Sequence, residues 1–261
     1  MANNAVKRTS LYDFANPVRF EAIAGRVFPF ALFGALTLGA LGLYFGLFNS
    51  PADYQQGDTV RIMYVHVPAA WMALFCYSSM AASSAAGFIW KHPLADVAAK
   101  ETAPIGAGFT FLALLTGSLW GKPMWGAWWA WDARLTSVLI LFFLYLGYMA
   151  LWRAIPDKTR AARLAAILAI VGFVNVPIIK FSVDWWNSLH QPASIIRADG
   201  PTIHSSMLTP LFLMISAYML AYIAMLLAAM RNEMMARRLA RLEDADAVRP
   251  ASVVEPGAVR T

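Results

Sequence analysis

Six stretches of the chain are almost continuously apolar, at about residues 27 to 47, 67 to 90, 103 to 119, 135 to 152, 164 to 179 and 207 to 230. Charged residues are confined to the segments outside them. A run of roughly 20 apolar residues is what a helix needs to cross the hydrocarbon of a bilayer, so the pattern predicts an all-α integral membrane protein with six transmembrane helices. The expected organisation is an N-terminal cytoplasmic segment over 1–26, a six-helix membrane domain over 27–230 and a cytoplasmic tail over 231–261. The tail starts as a basic helical continuation, RNEMMARRLARLED, and is expected to be largely disordered, most of all beyond about Ala247.

Composition agrees with this pattern. Hydrophobic residues make up 59% of the 261 positions and charged residues 14%, too few to clothe a soluble domain of this size. The first apolar run follows about 26 polar residues, exceeds a signal-peptide core in length and lacks a small-residue cleavage site, which marks it as a retained helix.

A net charge of +6 would suit a nucleic-acid binder, but the cations follow the membrane pattern instead. Of the 21 Lys and Arg, 16 fall at one set of helix ends and 5 at the other. The positive-inside rule then places both termini in the cytoplasm and the loops 48–66, 120–134 and 180–206 on the far side, the periplasm of a bacterial inner membrane. No GxxxxGK[ST] phosphate loop and no Cys or His cluster at zinc spacing is present, so the chain burns no ATP by itself and is expected to be a carrier rather than an enzyme.

Several residues read as packing elements. Gly42 and Gly46 form a GxxxG pair, and SSMAASSAAG from Ser78 to Gly87 offers a second small face, each suited to close helix approach within the bundle or against a partner helix. Asn175 and Pro177 place a polar group and a helix breaker near the outer end of the fifth span, where neighbouring helices can satisfy the freed backbone. Cys76 lies within the second span and has no other cysteine to pair with.

The segment WGKPMWGAWWAWDARLT, residues 120–136, concentrates five tryptophans in one outer loop, whereas an ordinary interfacial belt spreads them around the protein. A short interfacial helix starting at Met124 would align Trp125, Trp128, Trp129 and Asp132 on one face, with Asp132 as N-cap of the fourth span. Together with Trp120 and Trp131 this makes a wall of indoles suited to a large, flat, polarizable ligand: a porphyrin, a quinone or an undecaprenyl-type lipid head.

The histidines narrow the choice. His66 precedes Val67 and Pro68 at the outer mouth of the second span, and His190 lies in DWWNSLHQPAS on the third outer loop. Two imidazoles beside an aromatic floor match the axial ligation of haem iron. Arg61, Lys122, Arg134 and Arg197 are outer-face cations that would meet propionates or serve as interface anchors. His92 is on the cytoplasmic side, and His204, at the start of the sixth span, is not separable from the other two by periodicity.

WGKPMWGAWWAWDARLT resembles the WWD signature of haem-handling proteins, and with MYVHVPAAW and WWNSLHQPAS it resembles specifically the haem exporter protein C (CcmC) family of cytochrome c maturation, over roughly residues 10–230. The resemblance implies that haem b is bound transiently at the periplasmic face as cargo and presented to the haem chaperone CcmE, which takes it up covalently. It implies His66 and His190 as axial ligands and Trp120 to Thr136 as the haem platform. The ABC-type subunits CcmA and CcmB and the small membrane protein CcmD are the implied partners. His204 matches no ligand of that family.

Two other classes compete with this reading. A membrane-integral bis-His cytochrome or quinone-binding electron-transfer subunit would join its histidine pairs well inside the bundle. A lipid-linked sugar transporter would carry polar or acidic residues within the spans.

Overall fold

The computed structural model of the chain describes residues 16–248, apart from 187, 192, 193, 196 and 198. The early part of the expected N-terminal segment and the end of the expected tail, 249–261, lie outside the described residues. Among the described residues the chain is all-helical and carries six helical spans long and apolar enough to cross a membrane, as the hydropathy pattern predicts.

The helices are α1 (Pro17–Tyr44), α2 (Met63–Trp90), α3 (Pro93–Trp125), α4 (Ala133–Ala154), α5 (Lys158–Gly172), α6 (Asn175–Trp185) and α7 (Ser205–Val248). Their boundaries follow local chemistry. Asn16 caps α1, His92 accepts from the Ala95 N–H at the start of α3, and Asp157 accepts from Thr159 and Arg160 at the start of α5. Pro17 and Pro93 each occupy the first helical position, where a missing N–H is harmless. α1 starts at Pro17, well before the apolar run at about 27, and α7 continues past the membrane run to Val248.

The fifth span is made of α5 and α6 in series. Pro177 cannot donate to the carbonyl of Phe173, and the helix breaks at Phe173 and Val174. Asn175 is 9% exposed and donates its side-chain amide to the Ser137 carbonyl of α4 at 2.8 Å, so the break is pinned rather than loose. The consequence is functional: α6 turns towards α4 and brings Ile179, Lys180, Val183 and Asp184 to a shared cavity.

The core lies between α2, α3, α4 and α5. Met72, Cys76, Tyr77, Met80, Leu141, Tyr145 and Tyr148 form its centre, with Tyr145 donating to the Ala73 carbonyl at 2.8 Å. Cys76 is a buried packing residue. Tyr222 of α7 joins the core edge through hydroxyl contacts of 3.1 Å to Ser79 and to Thr102. Such internal partners matter in hydrocarbon, where water cannot satisfy a stray hydroxyl.

α1 packs mainly along α7, and the GxxxG pair sits in that contact and at its end. The faces of Gly42 and Gly46 are covered by Met214 of α7 and by the Tyr64 ring of α2, close enough that any Cβ would collide. The small face is thus used inside the bundle. At the far end from the tryptophan loop, Lys100 pairs with Glu233 at 2.6 Å and Arg231 with Glu21 at 2.8 Å, which fastens α3 and α1 to the extension of α7.

Gly42→Leu and Gly46→Leu together should separate α1 from α7 and α2 and lower the melting temperature of the detergent-purified protein by several degrees, a loss of about 2 to 3 kcal/mol for overpacking at these sites. An unchanged melting temperature would contradict the packing role.

Candidate functional site

At the end of the bundle bearing the tryptophan segment, a cavity of about 400 Å³ opens between α2, α3, α4, α6 and the segment after α6. This is the size range of small-molecule and cofactor sites. Its floor descends to Ala73 and Leu74 of α2, Ala113 of α3 and Val138 and Leu141 of α4. Its rim carries Gln56, Arg134, Lys180, Asp184 and Gln191. The site is therefore an amphipathic cleft entering the bundle, deeper than a flat wall on the membrane surface.

His66 and His190 both line it, one from α2 and one from the segment after α6. His66 lies in the first turns of α2, because a 3₁₀ turn, Asp58–Ile62, starts the helix a full turn before Pro68. Pro68 is thereby inside α2 rather than at its first position. The His66 ring lies on the face of α3 made by Thr116, Gly117 and Trp120: Nδ1 is 3.0 Å from the Thr116 hydroxyl, and the Trp120 indole meets the ring edge-on at 5.7 Å. A Cβ on Gly117 would stand 3.0 Å from the imidazole Cε1, so only glycine lets the ring lie this close to α3.

His190 sits in the non-helical segment after α6 and is held by Asp132. Its Nδ1 is 3.2 Å from Asp132 Oδ2, Ser188 donates its hydroxyl to the same oxygen at 2.6 Å, and the Trp125 indole packs edge-on at 5.0 Å. Burial lowers the His190 pKa below its ordinary 6.5; the Asp132 carboxylate opposes this, and the nearby Arg134 charge adds to it. The imidazole is thus neutral at neutral pH, with Nδ1–H donating to Asp132 and the Nε2 lone pair free.

Burial alone would raise the Asp132 pKa. The hydrogen bonds from Ser188, the Leu135 N–H and His190 outweigh it, and the carboxylate is held below its usual range. The same side chain caps α4, as the sequence predicts, accepting from Leu135 N–H at 2.7 Å. Asp132 stands behind His190 instead of in the indole wall.

The expected short helix from Met124 does not form. α3 runs on through Gly121 and Pro123 to Trp125, because a proline in the last turn costs only one carbonyl contact. Gly126, at φ 74°, then ends the helix with its N–H on the Lys122 carbonyl, and residues up to Asp132 are irregular. Trp125, Trp128, Trp129 and Asp132 consequently share no helical face. Trp120, Trp125 and Trp129 line the cavity, whereas Trp128 and Trp131 are 58% and 78% exposed outside it. The Trp125 ring lies across Gly121, where a Cβ would come within 3.0 Å of it. The buried Trp129 Nε1–H has no partner among the described residues, which leaves a donor at the cavity wall.

The four cations divide similarly. Arg134 lines the cavity and reaches the Ser182 hydroxyl and the Lys180 carbonyl of α6 at 3.2 and 3.3 Å. Arg61 turns away, donating to the Leu47 carbonyl at 2.5 Å and pairing with Asp58 at 3.2 Å. Lys122 donates to the Gly126 carbonyl at 2.9 Å and lies over the Trp128 ring. Neither Arg61 nor Lys122 belongs to the cavity lining, and Arg197 lies near Asp199 at 3.9 Å.

His204 pairs with Ser206 at the start of α7 and does not line the cavity, and His92 caps α3 at the opposite end. Sequence reasoning missed Lys180, Trp71, Thr116 and Gln56, which donates no ligand chemistry but accepts from Trp120 Nε1 at 2.9 Å. Trp71 follows His66 by five positions in α2, a spacing that periodicity alone does not single out.

Residues 10–245 match the family described as "CcmC: Heme exporter protein C". The chain belongs to the haem exporter protein C family. It is 57% identical to Heme exporter protein C of Bradyrhizobium diazoefficiens over 249 residues, 95% of this chain and 94% of the relative. The protein of the same name in Haemophilus influenzae is 48% identical over 86% of this chain and 92% of its own length, and that of Escherichia coli 45% over 85% and 90%. The match to the family thus covers the whole six-span core, the cavity and its two histidines.

Because burial keeps the folded His190 from binding a proton until below its ordinary 6.5, acidification from about 6.5 downwards protonates the unfolded chain first and should lower thermal stability, reversibly. Asp132→Asn, which removes the charge that favours the imidazolium, should move the His190 titration to still lower pH, followed by histidine ring NMR. A shift upwards would contradict the assigned pairing.

Proposed function

We propose that the chain binds haem in the cleft between His66 and His190 and presents it at the periplasmic face of the bacterial inner membrane for c-type cytochrome biogenesis. Membership of a family named for haem export supports the cargo. The observation that carries the reading is the pair of imidazoles, from two different elements, lining one cavity, each with Nδ1 engaged by protein. That leaves each Nε2 for iron.

The amphipathic shape of the cleft suits an amphipathic macrocycle. Trp120, Trp125 and Trp129 supply ring contacts worth about 0.5 to 1.5 kcal/mol each beyond burial. Arg134 and Lys180, at the rim, are the cations placed to meet propionates, and Ala73, Leu74, Val138 and Leu141 receive the apolar edge. Iron ligation by two neutral imidazoles and non-covalent stacking are both exchangeable, as handover requires.

The haem chaperone CcmE is the proposed acceptor, with CcmA, CcmB and CcmD as the assembly partners. The exposed indoles of Trp128 and Trp131, beside the cleft, are the proposed docking surface for the acceptor. In this role the protein's work is placement: it holds the ring so that a partner's nucleophile reaches it. A transient carrier is favoured over an electron-transferring cytochrome because His190 sits on an irregular segment at the bundle's end, not inside paired helices. The positive-inside balance supports cytoplasmic termini.

His66→Ala and His190→Ala should each reduce copurified haem by at least about tenfold, since loss of even an outer-shell partner of a metal ligand costs roughly 10- to 100-fold. Haem content and the visible spectrum, recorded with and without co-expressed chaperone, give the test. Full haem content and full covalent loading of the chaperone by either variant would contradict the reading. Combined Trp120, Trp125 and Trp129 substitution by Ala should also cut retained haem, with expression unchanged.

A further inference from the structure

His190 has a carboxylate behind it. His66 has none: its Nδ1 meets the hydroxyl of Thr116 on the neighbouring helix at 3.0 Å. A hydroxyl can donate to an imidazole or accept from it, and the two cases leave opposite nitrogens protonated. If Thr116 donated, the Nδ1 lone pair would be occupied and Nε2 would carry the proton, unable to ligate a metal.

The surroundings of Thr116 decide between them. Its Oγ1 is 2.7 Å from the Leu112 carbonyl and 3.4 Å from that of Ala113. Carbonyls only accept, so the single hydroxyl proton is committed to the turn of α3 below, the usual back-bond of a helical threonine. Oγ1 keeps its lone pairs, and towards His66 it accepts. Nδ1 therefore carries the imidazole proton and Nε2 the lone pair.

The ring is held at this angle by its neighbours. Gly117 allows the imidazole to lie on α3, and Trp120, one turn on from Thr116, closes its other edge. Thr116, at 9% exposure, is shielded from water that could substitute for its oxygen.

We infer that Thr116 is a positioning residue for His66, fixing the tautomer that points the Nε2 lone pair into the cleft. The inference rests on His66 as a haem ligand. It assigns a role to a threonine that otherwise reads as an ordinary polar residue inside a transmembrane helix. It also makes the two ligands unequal, because a neutral hydroxyl supports its imidazole less strongly than the Asp132 carboxylate supports His190.

The test is titration of ferric haem b into the purified protein in detergent, with the visible spectrum and the reduction potential as readouts, for wild type, His66→Ala, Thr116→Val, Thr116→Ala and Thr116→Ser. Thr116→Val keeps the shape and removes the acceptor; Thr116→Ala is the second hydroxyl-free variant should the first fold poorly. Both should bind haem about 10- to 100-fold more weakly, lose part of the six-coordinate spectrum and show a reduction potential shifted positive, as expected for a poorer imidazole donor. Thr116→Ser should restore all three.

If His66→Ala loses the six-coordinate spectrum while folded Thr116→Val and Thr116→Ala match wild type in affinity and potential, Thr116 does not position the ligand and the inference falls alone. If His66→Ala itself binds haem with the wild-type spectrum, the ligand reading falls and takes the inference with it.

Discussion

One carboxylate organises the site. Asp132 accepts from the Leu135 N–H to start α4, from the Ser188 hydroxyl to anchor the irregular segment after α6, and from His190 Nδ1 to aim the imidazole. Two elements distant in sequence, the start of α4 and the segment after α6, meet at a side chain that is 7% exposed. A buried carboxylate is costly unless every lone pair is used, and here the partners that satisfy it are also the parts of the site that must be held in place. Trp125 then packs on the His190 ring, which joins the end of α3 to the same point.

The wall made by α3 depends on close approach rather than charge. His66 and Trp125 lie against Gly117 and Gly121, one turn apart on α3, and a Cβ at either position would stand only 3.0 Å from the ring. The helix break at Pro177, secured by Asn175 on the Ser137 carbonyl, swings α6 over the third side. The cleft is thus built from a glycine groove, a capped helix start and a proline break. Each is a local departure from a regular bundle.

Much of this was legible in the sequence because the bilayer imposes it. Six apolar runs have no stable fate but helices, and the cap at Asp132 follows from an Asp immediately before an apolar helix. The indole face was misread because Trp125, Trp128 and Trp129 have helical spacing, while the positive φ of Gly126 breaks the register between them. Thr116 and Lys180 escaped for a different reason. Their importance comes from which helix faces them, and neither spacing nor composition carries that information. The placement of Arg61 and Lys122 outside the lining likewise follows from carbonyls at nearby helix ends that claim their donors.

The two histidines reach the cleft with unequal support, one from a carboxylate and one from a hydroxyl, and such a pair suits the proposed role of transient haem carrier. The most direct measurement is electron–nuclear double resonance on the ferric haem complex of protein grown with ¹⁵N-histidine. Two strongly coupled ¹⁵N nuclei, reduced to one by either His66→Ala or His190→Ala, are what the account predicts. A spectrum with a single coupled histidine nitrogen in the wild type, or one indifferent to either substitution, would contradict it.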